Sequence, residues 1–408
     1  MLWMHRSISR FQVFAIIGLL AGIILSTSIE ASGLTLGMAE ELALESDPGV
    51  RAVEANRLAL EEKSVAAEQL PDPLLKMGLV SLPTDTFNLG QEPMTQVQVG
   101  VVQKFPRGKS RALSAAQTYL KSEGLDEVAR DKELQIKLAV REQFLEVLKQ
   151  QELARINAEA IAAFSDVADI TKGYYATGRV QQQDVLQASV ELAKVEDRAT
   201  RIAQAEEQAR TRLATWIGDA AYSNLAPSWP QFSASLSSAA TIDRLIDHPR
   251  IRALQKNISA AETGVELARQ RYKPEFALDL TYGGRGGTNP DGSSRTDLLT
   301  FMVVMDIPLF TKNRQDRVVA AQVAESSAVT YMRDDILRRM QSEMKFHIAT
   351  HDKQRERIDL FENTLLPDAE FSSAASLEAY QSSIEDLTTV LRTRITEFDL
   401  QLEYARLQ

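Results

Sequence analysis

The segment VVQKFPRGKSR, residues 101–111, returns two hundred residues later as VVMDIPLFTKNR, residues 303–314. Each reads as an apolar strand that stops at a proline and passes through a basic turn into a helix. The likeness extends outward. With Pro48 set on Pro249, DPGVRAVEANRLALEEKSVAAEQLPDPLLKMGL (47–79) lies over HPRIRALQKNISAAETGVELARQRYKPEFALDL (248–280), and Pro73 meets Pro274 without a gap. Pro106 meets Pro308 one inserted residue later, and YATGRVQQQDVLQA from Tyr175 meets YQSSIEDLTTVLRT from Tyr380. A period of this length is too long for a solenoid repeat and points to a duplicated structural module.

Within each module the order is the same. A helix opens on a proline in its first turn, Pro48 or Pro249, where the missing N–H leaves no partner wanting, and closes before Pro73 or Pro274. Two strands follow, joined by SLPTDTFNLGQEPMTQ in the first copy and GGRGGTNPDGSSRTD in the second, both rich in turn formers. A long helical tract then runs, with one break, to the end of the module. The expected division is 1–31 leader; 32–216 first repeat, with helices over 37–71, strands near 74–81 and 96–106 and a hairpin over 109–216; 217–241 linker; and 242–408 second repeat, with a helix at 249–272, strands near 275–283 and 298–308 and a hairpin over 312–408. The fold class is mainly α with a small β part.

Strand residues alternate. Leu75, Met77 and Leu79, then Val97, Val99, Val101 and Phe105, oppose Lys76, Gly78, Gln98 and Lys104. In the second copy Phe276, Leu278, Leu280 and Tyr282 oppose Glu275, Asp279 and Thr281. Such a sheet has one greasy and one wet face, to be covered either by other protein or by lipid. Four strands cannot close a barrel, because the smallest membrane barrels have eight, so the lipid reading requires several chains to share one wall. From Ser110 to about Ile170 the only glycine is Gly124 and there is no proline, a rod of roughly 90 Å. Its apolar residues form two seams, Leu134, Leu138, Leu145 and Leu148 beside Val140, Phe144 and Val147, so neighbours are expected on both sides.

Composition narrows the function. The net charge of −10 disfavours nucleic acid, which requires a basic surface. Residues 1–31 have a basic start (His5, Arg6, Arg10), the uncharged run FQVFAIIGLLAGIIL and the small-residue exit STSIEA, the pattern of a secretory leader cleaved after Ala31. There is no cysteine in the 408 residues, so neither disulfides nor a lipidated N-terminal cysteine can contribute. His347 and His351 share a helix face one turn after Glu343 and are weak metal candidates, since Ile348 stands where a hydrolytic motif needs glutamate. Gly283, Gly284, Gly286 and Gly287 lack the Lys-Ser/Thr of a phosphate loop, and no Gly-x-Ser-x-Gly elbow occurs. No catalytic activity and no cofactor are expected.

These features together resemble the TolC family of outer-membrane efflux proteins from about Leu34 to the C-terminus. The resemblance rests on the duplicated helix, strand pair and hairpin, on YATGRVQQQDVLQA, on LLPDAE at 365–370, and on IPLFTKNR, which is similar to the heavy-metal and drug efflux branches. It implies a homotrimer in the outer membrane of a Gram-negative bacterium, with twelve strands in a shared β-barrel and a periplasmic α-barrel. It also implies a passive duct that partners a periplasmic adaptor and an inner-membrane pump, often of the resistance-nodulation-division class. The family's closed periplasmic tip falls on Asp184 and Tyr380. Glu385 stands where the family has a basic partner, Thr389 and Arg392 stand where some members carry an acidic ring, and Asp386 and Arg179 are the remaining charged candidates. The rival is a periplasmic coiled-coil adaptor or scaffold, which would show one hairpin flanked by lipoyl-like segments. The cargo, whether metal, drug or peptide, is not legible.

Overall fold

A computed structural model describes residues 33–232 and 238–408; the expected leader, its cleavage at Ala31 and part of the linker lie outside the described residues. The first repeat comprises α1 (Leu36–Ser46), α2 (Pro48–Glu68), β1 (Leu74–Val80), β2 (Gln96–Phe105), α3 (Ser110–Ala176) and α4 (Gln182–Ile217). After a 3-10 turn and α5 (Ser238–Asp243) come α6 (Pro249–Arg269), β3 (Phe276–Gly284), β4 (Leu298–Met305) and α7 (Gln315–Leu360). A π-turn at Phe361–Leu365 leads into α8 (Leu366–Gln381), and α9 (Leu387–Leu407) ends the chain.

The helices expected over 37–71 are α1 and α2, divided at Asp47. Asp47 is extended (φ −66°, ψ 118°), because the ring of Pro48 excludes the helical conformation from the residue before it. The break is used: Asp47 Oδ1 accepts the Val50 N–H at 2.9 Å and caps α2. In the second repeat the strand expected to 308 stops at Met305, ahead of Pro308, and the hairpin expected from 312 starts at Gln315.

The four strands form one antiparallel sheet in the order β1-β2-β3-β4, so the two repeats meet at β2 and β3. The register sets Leu75, Val101, Leu280 and Phe301 in one row and Met77, Val99, Tyr282 and Leu299 in another. Between them runs the row Lys76, Gly100, Thr281 and Thr300. The apolar rows are open to solvent in the single chain; Met77 is 71% exposed. On the opposite face Lys76 Nζ reaches from β1 across β2 to Asp279 Oδ2 on β3, 2.6 Å away. Gly100 makes room for this crossing, and a Cβ there would fall 2.3 Å from Thr281 Oγ1.

With 67 residues, α3 is roughly 100 Å long. Beside the sheet, α2, α3, α6 and α7 lie in that order as one layer. Farther along, α3 pairs with α4 and α8 with α9. One core surrounds the middle of α3, where Ile136, Val140, Phe144 and Val147 pack with Ala39, Ala43, Leu213 and Ile217. A second joins the repeats near the hairpin turns through Phe164, Val167, Val195, Val390, Leu391 and Phe398. The sequence seam of leucines is divided: Leu148 is buried and Leu145 half-buried, but Leu134 and Leu138 are exposed.

Both edges of the molecule are unfinished in the same way. α2 leads into β1 at one edge of the sheet, and no residue of α2 is buried; Val65 is 61% exposed. β4 leads into α7 at the other edge, and of the 46 residues of α7 only Gln315 and Ile348 are buried. Tyr331 and Phe346 on α7 project outward, Tyr331 at 72% exposure.

Candidate functional site

The residues assigned to the tip sit where α3 turns into α4 and α8 turns into α9. Both turns carry the same backbone bonds. In the first, the Arg179 N–H donates to Tyr174 O at 2.8 Å and the Gly178 N–H to Tyr175 O at 3.0 Å. In the second, the Ile384 N–H donates to Ala379 O at 2.8 Å and the Ser383 N–H to Tyr380 O at 2.9 Å. This nested pair is the Schellman ending, whose pivot residue must be left-handed. Gly178 has φ +72° at no steric cost, whereas Ser383 is held at φ +60° with a side chain in place.

Two aspartates act as helix caps. Asp184, the third residue of α4, accepts the Gln181 N–H on Oδ2 at 2.9 Å, completing a capping box. Asp386 begins α9 and accepts the Thr389 N–H on Oδ1 at 2.8 Å. That bond, with Arg392 adding a weaker attraction, holds its carboxyl below the ordinary aspartate value. The equivalent position to Asp386 in the first repeat is Gln181, so each repeat caps its return helix with a different residue.

Tyr380 is buried between the hairpins, 4% exposed, with its hydroxyl 3.4 Å from Thr171 Oγ1. Burial raises its phenol above the usual tyrosine value, and the nearby Asp184 charge acts in the same direction. Its ring meets that of Tyr174 at 5.6 Å between centroids, and the Tyr174 hydroxyl donates to Gln381 O at 3.1 Å. Arg179 lies over the other ring of this stack, its guanidinium carbon 5.0 Å from the Tyr174 centroid. The structure therefore brings Asp184, Tyr380 and Arg179 into one neighbourhood, with Arg179 on an aromatic face. Among the described residues none of Arg179, Asp184 and Glu385 makes an ion pair, and Glu385 is exposed. Thr171 and Gln381 complete the cluster; nothing in their sequence neighbourhood distinguishes them, because their place depends on the opposite hairpin.

His347 and His351 are exposed on α7. His347 Nε2 is 3.9 Å from Glu343 Oε1, and His351 Nδ1 is 3.3 Å from Asp352 Oδ1. No cluster of three or more histidine or carboxylate side chains suited to a metal ion occurs among the described residues.

The left-handed serine yields a direct expectation. Ser383→Gly removes the Cβ from a conformation that costs an L-residue about 1 kcal/mol, so it stabilises the α8–α9 turn by about that amount. Slower amide exchange at residues 380–388 is the readout, and Gly178→Ser has the opposite sign.

No protein-family profile matches the chain. It is 23% identical over 393 residues to the cobalt-zinc-cadmium resistance protein CzcC of Cupriavidus metallidurans, covering 92% of this chain and 87% of that protein. In three dimensions it is similar to the outer membrane protein VceC of Vibrio cholerae, with a TM-score of 0.77 at 16% identity, covering 91% of this chain and 92% of VceC. The CmeC outer membrane channel of Campylobacter jejuni gives a TM-score of 0.75 at 12% identity over 91% of this chain and 82% of its own. With its duplicated long hairpins and two strands per repeat in one sheet, the chain has the fold of these two solved outer-membrane structures.

Proposed function

We propose that the chain is the outer-membrane channel subunit of a tripartite efflux or type I secretion system, working as a homotrimer. In this reading it is a passive exit duct fed by an inner-membrane pump through a periplasmic adaptor. The observation that carries the proposal is the shared pair of open edges. α2 with β1 on one side and β4 with α7 on the other each present unpaired strand backbone and exposed apolar helix surface. A neighbouring copy satisfies both at once, since its β4–α7 edge can meet the β1–α2 edge of the first. Repeating that contact around a threefold axis gives twelve strands, enough to close a membrane barrel.

The apolar rows of the sheet then face lipid, and the opposite face, which carries Lys76, Gln98 and Asp279, faces the interior. A coiled-coil adaptor or scaffold without a barrel leaves those apolar rows uncovered, which disfavours it. The likeness to CzcC favours divalent metal cations as cargo.

Three measurements examine this reading. Leu280→Lys, on the apolar face, costs about 2–4 kcal/mol near the bilayer midplane and depletes heat-modifiable trimers from outer-membrane fractions. Gln98→Lys on the opposite face leaves trimer yield unchanged. A monomeric, detergent-independent product refutes the channel. As the proposed gate, the tip cluster loosens in Asp184→Ala, which removes one half of the α4 capping box and a charge beside Tyr380, so single-channel conductance in planar bilayers rises; an unchanged conductance removes Asp184 from the gate. Deleting the gene lowers tolerance to zinc, cobalt and cadmium more than to organic drugs, and the reverse ranking excludes metals as the main cargo.

A further inference from the structure

The turn that opens this protein's long helices is basic in both repeats, and the structure brings the two turns to one place. Just beyond the strand ends, α3, α6 and α7 enclose a cavity of about 610 Å³. Arg107, Arg271 and Arg314 line it, and no carboxylate does, in a chain of net charge −10. The first residue of α3, Ser110, and the first of α7, Gln315, both border it, and neither helix start has a side-chain cap. Two helix N-termini therefore meet at the same space, where the Lys109 N–H donates to Gln270 Oε1 at 3.1 Å and the Asp316 N–H to Thr311 O at 3.1 Å.

The three arginines differ. Arg107 is already engaged: it donates to Asp306 Oδ2 at 2.5 Å and to Lys273 O at 3.2 Å, with Glu275 Oε2 at 3.6 Å. The guanidinium groups of Arg271 and Arg314 have neither hydrogen bond nor ion pair among the described residues. Beside them Gln315 is only 8% exposed, and its Oε1 has no hydrogen-bond partner. A buried amide oxygen left unpaired is costly, so the cavity lacks a donor at Gln315 as well as an anion between the arginines.

We propose that this cavity binds the headgroup of an anionic phospholipid of the inner leaflet, a phosphodiester that also carries a free hydroxyl, as in phosphatidylglycerol. The phosphate oxygens accept from Arg271 and Arg314, and the glycerol hydroxyl donates to Gln315 Oε1. The proposal rests on the channel reading, which puts the ends of β2 and β4 at the periplasmic edge of the apolar layer. There Phe105 and Phe276 stack at 5.1 Å, and Leu309 and Phe310, the latter 82% exposed, lie between β4 and Arg314. Those side chains suit the acyl side of a headgroup held at the arginines.

The test uses the full chain purified in neutral detergent and stripped of lipid. Phosphatidylglycerol, phosphatidylcholine and inorganic phosphate are titrated separately. The wild type binds phosphatidylglycerol saturably and more tightly than phosphatidylcholine, which has the phosphodiester without the hydroxyl. Arg271→Gln with Arg314→Gln weakens that binding by at least about tenfold, the loss expected for charge-assisted hydrogen bonds. Each single variant loses less, and Arg201→Gln, on α4, changes nothing. Unaltered affinity in the double variant overturns the proposal, as does equal affinity for inorganic phosphate with the same arginine dependence, which marks a site for a soluble anion. Planar-bilayer conductance of the same preparations separates the two readings: without channels in the wild type the channel proposal fails, and with channels but arginine-independent lipid binding only the headgroup site fails.

Discussion

Unpaired strand backbone at a sheet edge is the constraint on which the rest of this structure depends. Four antiparallel strands leave two rows of N–H and C=O groups without partners, and within hydrocarbon each such group costs several kcal/mol. Neither repeat relieves this. β2 and β3 join the repeats in the middle, which moves both open edges to the outside, at β1 and β4. The helices preceding β1 and following β4 inherit the same edges, which is why α2 and α7 bury so little while α3 and α6 between them bury a great deal. A single cause thus accounts for the exposed sheet face and the exposed helices together.

Duplication does more than double the wall. Because each repeat passes from strand to helix through a proline and a basic turn, and because β2 pairs with β3, the two transitions are carried to neighbouring positions. Arg107 from the first repeat pairs with Asp306 from the second, and the starts of α3 and α7 border one cavity. At the far end the same pairing of repeats sets two Schellman turns side by side and buries Tyr380 between Tyr174 and Thr171. The repeats differ at both ends: glycine against serine at the turn, glutamine against aspartate at the cap, and a lysine-bearing against a leucine- and phenylalanine-bearing passage from strand to helix.

The tip gains its cohesion from packing and dipoles more than from ion pairs. Asp184 and Asp386 are held by backbone N–H groups, Arg179 by an aromatic face, and Tyr380 by burial. Such a cluster yields to small shifts of one hairpin against the other, since aromatic contacts and single hydrogen bonds are each worth only about 0.5–1.5 kcal/mol. Glu385 and Arg392 remain exposed at the same end of the hairpins.

The amino-acid sequence alone determined the duplication, the parity of the strands, the length of the helices and the places where prolines interrupt them. Those properties follow from local rules: period two or 3.6, a ring that removes a donor, a glycine that permits positive φ. Even the division of the first helical stretch was legible, because Pro48 excludes helix at Asp47. Only the tertiary structure decided that Arg179 stacks on Tyr174 instead of meeting Asp184. It alone placed Thr171 against Tyr380 from 209 residues away, and set Arg271, Arg314 and Gln315 around one cavity. Such contacts join residues from different helices, and their geometry depends on how α3 crosses its neighbours, a quantity that no local periodicity contains.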